Sequence, residues 1–169
     1  MEPLTPGDAA AVSAQLGRPS RGAIGVGQRC ACGLPCVVVT RPRLADGTPF
    51  PTTYYLTCPH LVAAVSRVEA AGGVERWSET VEQDPDLASS LEDATEKQCA
   101  IRRELVAGRA DSDGGASLEL GIGGSRNPRR LKCLHAHVAF ALANPGYELG
   151  ERIVAELPHP LWPSECCTP

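Results

Sequence analysis

The chain has 169 residues, 43% hydrophobic and 21% charged, which is enough for a single domain (1–169) with its own core. Its 16 basic and 20 acidic side chains leave a formal charge of −4, which argues against a general nucleic-acid binder. No apolar run approaches the roughly 18 residues of a membrane helix, and residues 1–11 carry Glu2 and Asp8 but no Lys or Arg, so neither a membrane span nor a secretory signal is expected and the chain reads as cytoplasmic.

Residues 8–16 read as a short helix, stopped by Gly17 and Pro19. A Gly-rich edge strand is expected over 22–29 and a β-branched strand over 36–40, closed by Pro42. Ala45-Asp46-Gly47 signals a turn, and 52–57 gives a third strand. Leu61, Val62, Val65 and Val68 share one helical face that ends at Gly72-Gly73, and a short helix covers 74–81. Asp84-Pro85 looks like a cap, and an apolar stripe through Leu87, Leu91, Ala94, Ile101 and Leu105 carries a long helix to about residue 107. Six glycines make 108–128 a flexible loop or lid. A strong helix is expected over 129–143 and a weaker one over 149–157, followed by an irregular Pro-rich tail, 158–169. Strands followed by helices define an α+β fold: a small antiparallel sheet of about three strands in the N-terminal third, packed with a mostly helical C-terminal part.

The eight cysteines are grouped. Cys30, Cys32 and Cys36 form one patch, Cys58 lies beside His60, Cys133 precedes His135 and His137, and Cys166-Cys167 closes the chain. In a reducing compartment such groups suit metal ligands or reactive thiols better than disulfides. Zinc takes four N or S donors in a tetrahedron. The Cys30-x-Cys32-x-x-x-Cys36 spacing is no standard zinc ribbon, but neighbouring strand ends could bring Cys30 or Cys32 to Cys58. At about 100° per residue, Cys133 and His135 diverge in mid-helix; they can share an ion only if the helix begins near Leu134 and leaves Cys133 in the cap. Cys99 reads as a small core residue. An iron–sulfur cluster is the alternative cofactor.

A rival reading makes Cys133 a reactive thiol, its pKa lowered by the helix start and Lys132, with His135 or His137 as base. Arg129, Arg130 and Lys132 crowd a helix N-terminus, where the dipole favours anions. With Arg43 they could hold a phosphorylated or other anionic substrate, although Arg43 could equally pair with Asp46.

The block from Arg41 to Pro59, with Gln15-Leu16-Gly17-Arg18-Pro19, Arg29-Cys30-x-Cys32-Gly33 and Lys132-Cys133-Leu134-His135, resembles an uncharacterised, mainly actinobacterial family, domain of unknown function 501. The resemblance spans a core of about 12–160. It implies Cys30, Cys58, Cys133 and His135 as a ligand set, with Cys166 matching a tail cysteine of some members. By gene neighbourhood it implies a cell-division or polyphosphate context for an unknown protein partner. The chain departs from the family at 125–130, at 147–150 and at Phe140, a histidine in the family; His137 lies outside the pattern. The resulting expectation is a cytoplasmic interaction or regulatory module with a structural zinc site. Its ligands are Cys30 or Cys32, Cys58 and Cys133, completed by His135 or Cys166.

Overall fold

The computed structural model describes residues 1–106, 113–127 and 129–163. Its sheet is antiparallel, with strands β1 (Glu2–Pro3), β2 (Ala23–Arg29), β3 (Pro35–Thr40) and β4 (Tyr54–Leu56) in that spatial order. The fold is α+β as expected, with four strands rather than about three. The additional strand, β1, pairs only Glu2 with Val26 and Pro3 with Gly25, and two residues have no periodicity to read. β3 runs Pro-Cys-Val-Val-Val-Thr and is buried at every position, because strands flank it on both sides and helices cover both faces. β4 forms the far edge.

Helix α1 (Pro6–Leu16) starts two residues earlier than the apolar pattern suggests. Thr5 caps it: its hydroxyl accepts from the Asp8 N–H at 3.1 Å, and Asp8 accepts from the Thr5 N–H at 3.1 Å. The Arg29 guanidinium reaches Asp8 at 2.7 Å and Glu2 at 3.0 Å, which ties α1 and β1 to β2.

Helices α2 (Pro59–Ala70), α3 (Gly73–Gln83) and α4 (Pro85–Val106) follow, then α5 (Leu134–Ala143) and α6 (Glu148–Ala155). α5 is apolar around its circumference, with Ala136, Val138, Ala139, Phe140 and Ala141 all buried, as a central helix requires. It packs on β4, α2 and α6. The Phe140 ring meets Tyr54 and Tyr147 edge-on, with centroids 5.3 and 5.5 Å apart. Each fully buried Leu or Ile here (Leu61, Leu134, Leu149 and Ile153) contributes about 1.5–3 kcal/mol.

Of the expected flexible loop 108–128, residues 108–112 and 128 lie outside the described residues, and 113–127 is described. Turns at Ala116–Glu119 and Ile122–Gly124 bury Leu118 and Ile122. Arg102, wholly buried, donates to Ser117 O at 2.9 Å, Pro51 O at 3.0 Å, Phe50 O at 3.1 Å and Thr53 Oγ1 at 3.1 Å. It thereby binds this segment and the β3–β4 connection to α4. In the tail, Leu161 and Trp162 pack on the core, whereas Cys166 and Cys167 lie outside the described residues. No helix among the described residues is long and apolar enough to cross a membrane.

Candidate metal centre

α5 begins at Leu134, not at 129, and Cys133 is its N-cap. This meets the condition under which Cys133 and His135 can share a site. α2 runs alongside, and Val62, Ser66 and Glu69, spaced i, i+4, i+7, lie on one stripe facing that helix start. Glu69 Oε1 accepts from the Leu134 N–H at 2.6 Å, placing a carboxylate at the α5 N-terminus. The anion favoured at this helix start is thus supplied by the chain itself.

The other Glu69 oxygen, Oε2, lies 3.2 Å from His135 Nδ1. His135 Nε2 is 3.2 Å from Val62 O and 3.3 Å from Ser66 Oγ. A carbonyl can only accept, so Nε2 carries a proton and Nδ1 is turned toward Glu69 and Cys133. One donor atom each from Glu69, Cys133 and His135 lie within 4.8 Å of one another; among the described residues no other trio of His, Cys, Asp and Glu side chains does so. All three are half-buried. The His135 pKa is pushed up to about 9 by its hydrogen bond with Cys133 and by the Glu69 charge, against the opposing effect of burial. Gly123, at φ 70°, lets the preceding turn approach α5: a Cβ there would come within 3.2 Å of Ala136 Cβ and 3.8 Å of Cys133 Cβ.

Cys133, His135 and Ala136 form one wall of a pocket of about 600 Å³. Tyr54, Tyr55 and Leu56 of β4, Val62 and Ala63 of α2, and Leu16 at the end of α1 line much of the rest, together with the polar Gln15, Thr52 and Thr57, and no Lys, Arg, Asp or Glu does.

The five expected ligands fall into two sets. Cys133 and His135 meet. Cys30 and Cys58 are buried with Cys36, whose thiol is pushed up by burial and by those two neighbours, and Cys32 is exposed in the β2–β3 turn. None of these four joins the Glu69 group. Cys99 is buried beside Leu120 O, at 3.8 Å, and its thiol is raised by burial. His137 is a core residue: Nδ1 lies 2.7 Å from the Tyr147 hydroxyl, and burial pushes its pKa down to about 3. The residues of the expected anion site face different partners. Arg43 is buried against Asp113 rather than paired with Asp46, Arg130 meets Glu75 at 2.5 Å, and Lys132 Nζ sits 3.5 Å from Gly124 O. Glu69 is missing from the sequence reading because nothing local distinguishes it among 20 acidic residues; only its register with Val62 and Ser66 on α2 hints at it.

The fold and site define an α+β protein with a mixed Glu/Cys/His cluster at the edge of an apolar pocket. The chain belongs to the family described as "Protein of unknown function (DUF501)", whose model matches residues 26–155 and so contains the whole cluster. No curated protein and no solved structure matches the chain.

Proposed function

We propose that this is a zinc-binding protein whose ion is held by Glu69, Cys133 and His135, and that it works as an interaction or regulatory module taking its ligand in the adjoining pocket. One observation carries the reading. Glu69 Oε1 and His135 Nε2 are each engaged by a backbone group, which leaves Glu69 Oε2, His135 Nδ1 and the Cys133 thiol to face one another. Holding the far atoms of ligand side chains in this way is how proteins orient metal ligands. A thiolate, an imidazole and a carboxylate together suit zinc, and three protein donors leave a fourth position for a pocket ligand. An iron–sulfur cluster calls for more thiolates than the single one in this group.

Zinc titration against a competing chelator tests the proposal. Wild-type protein should take up one equivalent, and Glu69→Gln and Cys133→Ser should each weaken binding by about tenfold or more. Cys30→Ala should bind zinc as the wild type does. Equal binding by all four proteins would defeat the proposal.

A thiol enzyme is the second reading, favoured by Cys133 capping a helix beside a histidine whose pKa is raised. Its substrate would be neutral rather than phosphorylated, since Arg43 and Arg130 are engaged elsewhere. Rapid alkylation of Cys133 at neutral pH in a protein that binds no zinc would favour it.

A further inference from the structure

The pocket wall formed by β4 carries unused hydrogen-bonding groups. In the β3–β4 ladder, Thr40 N–H donates to Thr53 O and Thr57 N–H to Cys36 O, each at 2.9 Å, and Val38 stands opposite Tyr55. Residues 53, 55 and 57 therefore turn their backbone toward β3. By strand alternation, Tyr54 and Leu56 turn their N–H and C=O groups outward, away from the sheet. Both residues line the pocket, and among the described residues no hydrogen bond takes up these groups. Leu56 is only 5% exposed, so what reaches it must enter through the pocket.

A ligand that fits must offer alternating donors and acceptors to the edge and apolar groups to Val62, Ala63 and Leu16. The lining holds no Lys, Arg, Asp or Glu, and its imidazole, His135, is already engaged by Glu69 and by Val62 O. An extended polypeptide meets both requirements, whereas neither a fatty chain nor a phosphate ester offers the alternating donors and acceptors that the edge groups need. We infer that the pocket binds an extended, apolar peptide segment as a fifth strand on β4, lying alongside Cys133 and His135. This deepens the zinc reading and rests on it for one feature only: a peptide carbonyl oxygen fills the remaining coordination position. The strand pairing itself depends on β4.

The test uses the full chain and the probe N-acetyl-Ala-Val-Leu-Val-Ala-amide, in zinc-free and zinc-loaded protein of measured zinc content. Saturable shifts of the Tyr54 and Leu56 amide resonances are expected. N-methylating one alternate set of peptide amides should weaken binding by about tenfold or more, and methylating the other set should not. Ala63 is exposed on α2, so Ala63→Trp should plug the pocket and abolish binding while helical content and zinc content stay unchanged. No saturable binding up to about 1 mM, equal effects of the two methylation sets, or undiminished binding by Ala63→Trp would overturn the inference. If the peptide binds in the predicted pattern to protein that takes no zinc, strand addition stands and the metal reading falls.

Discussion

Glu69 has two tasks, one oxygen for each. Oε1 holds the first free N–H of α5 and Oε2 faces the imidazole, so the residue joins α2 to α5 and completes the donor set. Arg102 has a comparable structural burden at the β3–β4 connection. Its charge is buried among three carbonyls and a hydroxyl, and burial lowers its pKa. Arg102→Met should destabilise the protein by about 2–4 kcal/mol, because buried acceptors lose their donors at once. A lower urea midpoint with an unchanged slope would show this; an unchanged midpoint would refute it. Arg102→Lys should not rescue, since an ammonium cannot reproduce the guanidinium fork. Cys133 and His135 were legible in the sequence because few residue types bind metals and these two stand close together. Glu69 and Arg102 were not. The buried stripe of α4 runs through Leu87, Leu91, Ala94, Gln98 and Arg102, a regular helical period. Hydrophobicity instead led through Ile101 and Leu105, because the last two positions of that stripe, Gln98 and Arg102, are polar.

The helix starts decide where the elements place these residues. α5 starts at Leu134, and a start even one turn earlier would move Cys133 to another face. Sequence pattern merged the segment 129–133 into the helix because its residues are good helix formers. The Glu69 contact at the Leu134 N–H, a partner distant in sequence, marks the actual boundary. At α1 the boundary signal was local: Thr5 and Asp8 form a capping box. Thr5→Ala should cost about 1 kcal/mol, measured by thermal or urea unfolding. Asp8 also gives the fold a pH dependence. Arg29 first, then Thr5, holds its carboxyl below the ordinary 3.8, so this stabilisation is complete above that pH and is lost as pH falls through the lowered value. Asp8→Asn should therefore be less stable than wild type at neutral pH, and the gap should close as the pH drops below 3.8. A gap independent of pH would assign the effect to the cap alone.

For the whole molecule, the α+β class followed from the order of elements, since β-branched runs precede amphipathic ones. The ligand grouping did not, because which cysteines meet depends on how α2 and α5 dock on the sheet. Cys30 and Cys58 gather around Cys36 in the core, and Cys133 turns to α2 instead. The 113–127 segment read as loop from its glycines, yet Leu118, Ile122 and the carbonyls that Arg102 and Gln98 bind fold it onto α4. The central claim is that one mixed centre, rather than a cysteine cluster, binds the metal. X-ray absorption of the zinc-loaded protein tests it most directly. The account predicts one sulfur at about 2.3 Å and the remaining ligands nitrogen or oxygen at about 2.0–2.2 Å. A shell of three or four sulfurs would contradict it and return the site to Cys30, Cys32 and Cys58.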